Sequence, residues 1–154
     1  ENLRAMLLEQ ELKTFVEGTT NYFEIAAQQP ATIGSPYLVE GTAPAAHDYT
    51  GVISISGKRE GVVYFTAPKA MLTVLLMKMQ ESDFSHETMR DLVGEVANTI
   101  SGNARRDFGR EFVISVPSVL SGEQPAVPVK PGMRSFVIPI NWRSHSAKLV
   151  VALT

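Results

Sequence analysis

Hydrophobic and polar residues separate most clearly between residues 85 and 109. At about 100° per residue, apolar side chains share one side of a helix in this segment: Met89, Leu92, Val93, Val96 and Ile100. The opposite side carries polar residues and glycines: Asp91, Gly94, Glu95, Asn98, Gly102 and Arg105. The pattern predicts a helix, called the central helix below, with one side in the core and the other facing outward.

The residues at the two ends of the central helix support these limits. Ser85 is of a type that caps helix N-termini, and the acidic Glu87 suits the positive end of the helix dipole. Gly109 fits the position just after the last helical residue, so we expect the helix to end around Phe108.

Two further helices are predicted. Apolar residues at helical spacing indicate a helix from residue 2 to about residue 28, with a possible interruption or cap at Gly18–Asn21. Residues 68–80 form the other, with Pro68 at the first helical position, where its missing N–H is not needed. This second helix is apolar nearly all round, which is typical of a buried helix.

Alternating segments rich in β-branched and aromatic residues predict strands at 36–42, 49–57, 62–66, 111–120, 133–144 and 147–153. Short polar links join two pairs of them into hairpins, and residues 121–132 form a long loop. Pro117 cannot donate to a strand ladder, so it indicates an edge or a bulge. The chain therefore predicts one α+β domain over 1–154, a largely antiparallel sheet of about six strands backed by long helices on one face.

Composition narrows the possible functions of this domain. The chain has 154 residues, a net charge of −2 and no cysteine. It therefore has no basic surface for nucleic acid, no disulfide framework and no cysteine-ligated metal. No apolar run approaches the roughly 20 residues that cross a bilayer. We expect a cytoplasmic protein that does not bind membranes.

Few residues offer chemistry of their own. His47, His86 and His145 lie far apart without local partners, and neither a phosphate-binding loop nor a nucleophile elbow is present. Glu95 and Asn98 are neighbours at i, i+3 on the outward side of the central helix. They could dock a partner and position a water on a surface flattened by glycines, or they could belong to an ordinary solvated face. The first interpretation implies that this chain completes the active site of another protein.

The motif Asp91-x-x-x-Glu95-x-x-Asn98, with its flank from Gly94 to Gly102, resembles the CheC/CheX/FliY group of chemotaxis phosphatases. It is most similar to the CheX branch, because the chain has one Glu-x-x-Asn helix rather than two. Pro117 lies a few residues nearer to Asn98 than the proline of that family does.

This resemblance implies a substrate, a mechanism and a set of roles. The substrate would be the phosphorylated aspartate of a CheY-type receiver domain, and that partner would also hold the Mg²⁺, with no cofactor bound by this chain. Asn98 would orient the attacking water, and Glu95 would contact a lysine of the partner. A homodimer is implied as well. The remaining docking residues would be Asp91, Gly94, Gly102, Arg105 and Pro117.

Two alternatives stay open. The same fold could bind a receiver domain without hydrolysis. It could also be a dimerisation domain, in which the last strands pair across subunits because an exposed apolar edge invites pairing.

Overall fold

A computed structural model describes residues 2–40, 46–122 and 134–153, with the side chains of residues 2–8 excepted. Three helices lie within these residues: α1 (Asn2–Ile25), α2 (Lys69–Lys78) and α3 (His86–Phe108). The strands are β1 (Thr32–Ile33), β2 (Tyr37–Val39), β3 (Tyr49–Gly57), β4 (Gly61–Ala67), β5 (Phe112–Ile114), β6 (Ser118–Ser121), β7 (Ser135–Trp142) and β8 (His145–Leu153). Sequence reasoning also places a turn at residues 43–46, and most of this turn and of the predicted loop at 121–132 lies outside the described residues.

All strands belong to one antiparallel sheet in the order β1-β7-β8-β4-β3-β5, with β2 also beside β7 and β6 also beside β3. The predicted fold class is confirmed, but the described residues form eight strands instead of about six. The strand predicted at 111–120 is split into β5 and β6 by residues 115–117, which include Pro117 with its missing backbone donor. The short β1 was not predicted.

The helices pack on one face of the sheet. Along β4, Val63 and Phe65 point into the same apolar core as the buried side chains of all three helices. Val62 and Tyr64 alternate with them and belong to a second, smaller apolar cluster. The helices therefore have a continuous apolar base, which fixes the height of α1 and α3 above the sheet.

Helix α1 runs without the interruption that Gly18–Asn21 suggested. The hydroxyls of Thr19 and Thr20 donate to the carbonyls of Phe15 and Val16, at 2.8 and 3.0 Å. These side chains are thus satisfied inside the helix and do not compete with it. The helix ends at Ile25 rather than near residue 28.

Two polar contacts hold α1 in place. The guanidinium of Arg59, in the turn after β3, forms an ion pair with Glu11 at 2.6 Å, and both side chains are about nine-tenths buried. Beyond the C-terminal end of α1, the indole N–H of Trp142 in β7 donates to the carbonyl of Gln29 at 3.0 Å. The middle of α1 is therefore attached to the β3–β4 turn, and the segment that follows the helix is attached to β7.

Helix α2 differs slightly from its prediction. Pro68 is the N-cap rather than the first helical residue, and the N–H of Lys69 donates to the carboxylate of Asp48 at 2.8 Å. Met71, Leu72, Leu75 and Leu76 are buried, whereas Met77 is 60% exposed. The helix is thus buried on one side only.

Strand β8 lies between β4 and β7, with hydrogen-bonded partners on both edges. The last strand therefore has no open edge with which to pair across subunits, and that route to a dimer is wrong. None of the helices in the described part of the chain is long and apolar enough to cross a membrane.

Candidate functional site

Helix α3 has the predicted limits and the predicted caps. The Ser85 hydroxyl accepts from the Thr88 N–H at 3.3 Å, and Gly109 follows the last helical residue with φ = 89°. Asp83 supports the same N-terminus, because its carboxylate accepts from the Ser85 N–H and from the Thr88 hydroxyl, at 2.8 and 2.7 Å. These bonds lower the pKa of Asp83, chiefly through Thr88.

The inner side of α3 lies unusually close to the sheet. Met89, Val93, Val96 and Ile100 are fully buried, as the apolar pattern predicts. A Cβ at Gly51 of β3 would lie only 2.2 Å from the carbonyl oxygen of Val93. Only glycine permits this approach, so the backbone of α3 rests directly on β3 and has little freedom to shift.

The outer side of α3 exposes Asp91, Glu95, Asn98 and Arg105. Within the described residues, neither Glu95 nor Asn98 forms a hydrogen bond or an ion pair. The Asn98 amide is therefore available both as a donor and as an acceptor, and the Glu95 carboxylate as an acceptor. Side chains at i and i+3 lie about 5–6 Å apart at Cβ, so both can contact the same partner.

Gly94 does not lie on this exposed surface, contrary to the sequence prediction. It is buried, and a Cβ there would be 3.2 Å from Cγ2 of Val119 and 3.5 Å from Cβ of Pro117. Its position on the helix is at the border of the outward side, and β6 covers that border. Gly94 therefore contacts the chain's own strand and is not available to a partner.

Strand β6 is fixed along this border by Arg90 of α3. The guanidinium donates to the carbonyl of Val119 and to the hydroxyl of Ser121, both at 3.1 Å. Pro117 is exposed beside Gly94, and the adjacent Val116 is 83% exposed. The structure thus brings Pro117 next to the outward side of α3, although it does not assign Pro117 a role.

Gly102 differs from Gly94. It lies inside α3, and nothing comes within 4 Å of the position where its Cβ would be. No contact within the described chain requires a glycine there.

A groove of about 450 Å³ is lined by residues of both α1 and α3. Its α1 wall includes Glu17, Asn21, Tyr22 and Ile25, and its α3 wall includes Glu95, Thr99, Asn103, Arg106 and Asp107. Glu95 is therefore part of two surfaces, the groove on one side and the exposed pair with Asn98 on the other.

Tyr22, one of the residues that line this groove, carries a buried hydroxyl. Tyr22 is 5% exposed, and its hydroxyl has no hydrogen-bond partner among the described residues. Burial, and to a smaller extent the charge of Glu95, raise the pKa of Tyr22 above its ordinary value. The phenol is therefore neutral at physiological pH and can donate or accept.

The sequence prediction did not include the α1 wall of the groove. Glu17 and Asn21 are at i, i+4 and share a side of α1. A Cβ at Gly18, which lies between them, would be 3.5 Å from the carbonyl oxygen of Ile100 in α3. A glycine inside a long helix was the available signal, but it indicates a helix–helix contact as well as it indicates a break. Only the tertiary structure distinguishes these two causes.

No group of three or more histidine, aspartate or glutamate side chains among the described residues could hold a metal ion. The outward surface therefore offers an amide, carboxylates and a guanidinium. Such groups can orient a water or a charged partner.

Comparison with protein families gives a match that covers more than half of the chain. The family described as "Chemotaxis phosphatase CheX" matches residues 49–141, a range that includes the whole of α3 and the strands β3, β4, β5 and β6 that contact it. A search of curated protein sequences gave no significant match.

Solved structures share the fold over almost the whole chain. The chemotaxis protein CheX from Desulfovibrio desulfuricans is 26% identical with a TM-score of 0.81, covering 94% of this chain and 99% of its own. A CheC-like superfamily protein from Shewanella sp. PV-4 is 24% identical with a TM-score of 0.81, covering 94% and 97%. The CheX–CheY–BeF3–Mg²⁺ complex from Borrelia burgdorferi contains a chain that is 18% identical with a TM-score of 0.71, covering 92% and 96%.

Proposed function

This chain belongs to the chemotaxis phosphatase CheX family, and from that premise we propose that it hydrolyses the phosphoaspartate of a CheY-type response regulator. In this proposal Asn98 orients the attacking water, and Glu95 docks the partner. Asp91, Gly102, Arg105 and Pro117 surround this pair as further docking residues.

The observation that carries the proposal is the state of Glu95 and Asn98. Both side chains are exposed on α3, and neither has a partner within the described chain. A folded protein gains little from an unpaired amide beside an unpaired carboxylate on a helix that is held rigidly from below. A partner that binds both groups would explain why they lie side by side on the exposed side of α3.

The proposed reaction requires only positioning and hydrogen-bonding groups from this chain. In phosphoryl transfer the nucleophile must lie in line with the phosphorus, and developing charge must be stabilised. The Asn98 carbonyl can accept a hydrogen bond from the attacking water while its N–H group donates to a phosphoryl oxygen. The water oxygen bonds to phosphorus, the bond from phosphorus to the aspartate oxygen breaks, and the water proton leaves with the phosphate or to solvent. No strong base is needed.

The nature of the partner has support from a relative. The CheX of Borrelia burgdorferi forms a complex with CheY, BeF3 and Mg²⁺. Beryllofluoride on an aspartate is a chemical mimic of the phosphorylated residue. We extend this partner class to the present chain, with Mg²⁺ supplied by the receiver domain.

The experiment follows decay of a phosphorylated CheY-type receiver with and without the protein. Asn98→Ala should lower the dephosphorylation rate on the order of 100-fold, the scale for losing one positioned hydrogen-bonding group. Its Kd for the beryllofluoride-loaded receiver should stay the same, because the docking surface remains. Glu95→Ala should instead raise that Kd about tenfold, which corresponds to about 1.4 kcal/mol.

Glu111→Ala is the matched control for Glu95→Ala, because Glu111 is exposed in the turn after α3 and outside the outward stripe. It should leave both rate and Kd unchanged. Full dephosphorylation by Asn98→Ala would remove the catalytic role of that residue. Binding of the loaded receiver without any acceleration of decay by the unchanged protein would favour the alternative, a receiver-binding module that does not hydrolyse.

We also propose a cytoplasmic homodimer. The central position of β8 leaves the outer edges of the sheet, at β1/β2 and β5/β6, as the edges where a second copy could pair. Light scattering at high protein concentration tests this, and a monomer mass would contradict it.

A further inference from the structure

Val116 is 83% exposed, the largest exposed fraction among the large apolar side chains of the described residues. It lies between β5 and β6, immediately before Pro117. Single exposed apolar residues are common on protein surfaces, so exposure alone indicates nothing. Two further observations distinguish Val116, the way its backbone is held and its distance from Asn98.

Hydrogen bonds to β3 fix the backbone on the N-terminal side of Val116. The Ser115 N–H donates to the carbonyl of Ser54 at 3.0 Å, and the Ser115 hydroxyl accepts from the Ser54 N–H at 2.9 Å. The same hydroxyl donates to the carbonyl of Val116 at 2.8 Å. Val116 is thereby attached to the strand on which α3 rests.

Pro117 restricts Val116 from the C-terminal side. A residue before proline favours extended conformations, and a β-branched side chain has few χ1 rotamers. Pro117 itself packs beside Gly94 of α3. The next residue, Ser118, pairs with Val52 of β3. Val116 is therefore presented in a nearly fixed geometry before any partner binds, so its ordering costs little binding free energy.

A partner that docks on Glu95 and Asn98 would also cover Val116. Stable complexes bury about 800 Å² per partner, a patch with a radius of roughly 16 Å. Gly94 is one helical turn, about 6 Å, from Asn98. A Cβ at Gly94 would be 3.5 Å from Pro117, and the Cα of Val116 is about 3.8 Å from the Cα of Pro117. Val116 thus lies roughly 12–15 Å from Asn98, inside such a patch.

We propose that Val116 is an apolar docking residue, which packs into an apolar depression that the receiver domain presents beside its phosphorylation site. This inference rests on the proposed function and adds to it a contact that is neither charged nor catalytic. Val116 would contribute to the choice among receivers, because a polar receiver surface at this point would lose its water opposite two methyl groups.

Val113 provides a matched control three residues earlier in the chain. It is 45% exposed, but it alternates along β5 with Phe112 and Ile114, which pack into the core under the helices. Val113 therefore points to the face of the sheet opposite to α3. Val116→Ala and Val113→Ala remove the same two methyl groups from the two faces.

The probe for both variants is a CheY-type receiver domain loaded with beryllofluoride and Mg²⁺. We expect Val116→Ala to raise the Kd at least fivefold, on the scale of the apolar burial that is lost, and Val113→Ala to leave it unchanged. The dephosphorylation rate at saturating receiver should stay the same in Val116→Ala, because only docking is weakened. Equal Kd values for the two variants would overturn the proposal.

Val116→Thr tests whether the contact is apolar. Threonine keeps the shape and the β-branch of valine, and it replaces one methyl group by a hydroxyl. Its Kd should rise at least as much as that of Val116→Ala, because a hydroxyl buried without a partner costs binding free energy. The ratio of this Kd to that of the unchanged protein should not depend on salt, since screening acts on charges. Binding as tight as that of the unchanged protein would show that no apolar depression receives Val116.

An interface between two copies of this chain is the competing explanation, because Val116 lies at the β5/β6 edge of the sheet. Light scattering on Val116→Ala and Val113→Ala separates the two. A lower mass for Val116→Ala together with an unchanged Kd for the receiver would assign Val116 to contacts between copies, and the proposal would be wrong.

Failure of this inference is distinct from failure of the proposed function. If Asn98→Ala abolishes dephosphorylation while Val116→Ala binds like Val113→Ala, the phosphatase stands and Val116 has no role in docking. If the unchanged protein neither binds the loaded receiver nor accelerates decay, the proposed function itself is wrong, and the role of Val116 fails with it.

Discussion

The exposed stripe of α3 has two ends with different surroundings. Near Gly94 the stripe is bounded by β6, which packs against the helix through Val119 and Pro117 and is held by Arg90. Near Gly102, no atom of the described residues lies within 4 Å of an added Cβ. The same residue type on neighbouring sides of one helix therefore has two explanations. Gly94 is covered by packing within the chain, whereas Gly102 has no such contact among the described residues.

A glycine on a helix is therefore evidence for a docking surface only where its own chain leaves it uncovered. A glycine in a helix interior costs about 1 kcal/mol relative to alanine. At Gly94 the contact with β6 offsets that cost. At Gly102 no contact within the described residues does so, and the docking role proposed for Gly102 can therefore be tested by substitution.

The largest effect on stability is expected at the contact between α3 and β3, because the position of the whole exposed stripe depends on this contact. A Cβ at Gly51 would be 2.2 Å from the Val93 carbonyl oxygen and 2.9 Å from the Gly94 nitrogen, and neither backbone atom can move aside. Gly51→Ala should therefore destabilise the protein by about 3 kcal/mol or more, the upper range for overpacking. Urea unfolding measures this, with Ser56→Ala on the exposed side of β3 as the control. A loss near zero would mean that α3 does not rest on β3.

A smaller effect is expected at the packed end. Gly94→Leu should push β6 away from α3 and destabilise the protein by about 1–3 kcal/mol. Gly94→Ala should change stability by less than about 1 kcal/mol, because crowding of Val119 opposes the better helix propensity. Thermal unfolding of both variants checks this order. Stabilisation by leucine would show that β6 does not cover Gly94.

At the open end of the stripe, near Gly102, a substitution is expected to increase the stability instead of lowering it. Gly102→Ala should stabilise the protein by about 0.5–1 kcal/mol, because alanine has a better helix propensity and a less flexible unfolded state. Dephosphorylation of the receiver should fall despite the higher stability, since the added methyl group meets the partner. A melting curve and a phosphate-release assay on the same sample decide this. A more stable variant with full activity would remove Gly102 from the docking surface.

The smallest effect concerns the start of α3. Hydrogen bonds from Thr88 and Ser85 hold the pKa of Asp83 below its ordinary value in the folded state. Asp83 therefore contributes stability above the unfolded-state pKa of about 3.9, and this contribution is lost as the pH falls through the lower folded-state pKa. The difference in melting temperature between the unchanged protein and Asp83→Asn should be present at pH 7 and should shrink below about pH 4. A difference that does not depend on pH would contradict this assignment.

Much of the fold could be predicted from sequence because its signals are local. The period of Met89, Val93, Val96 and Ile100 determines the buried side of α3, and Ser85 determines its start. The division of 111–120 into β5 and β6 was harder, because Pro117 shows that a strand is disturbed without showing where pairing resumes.

The candidate site was predictable only in part. Exposure of Glu95 and Asn98 follows from helical geometry alone. Burial of Gly94 does not, because it depends on Val119, which is 25 residues further along the chain and reaches the helix through strand pairing with β3. The groove beside Glu95 likewise depends on how α1 packs, and a single sequence carries no direct signal of the distance between two helices.

The central position of β8 has a consequence for how the chain folds during synthesis. Among the described strands β8 comes last in the sequence, yet it lies between β7 and β4 in the sheet. The β3–β4 hairpin and the contact between α3 and β3 can form while the chain is still emerging from the ribosome. The sheet is complete only after β8 has left the ribosome, because β8 pairs with a segment about 90 residues earlier, as Gly61 with Leu153 shows. Such non-local pairing slows folding. Until then the edges of β4 and β7 are open, so nascent chains stalled before β8 should be the species that chaperones bind.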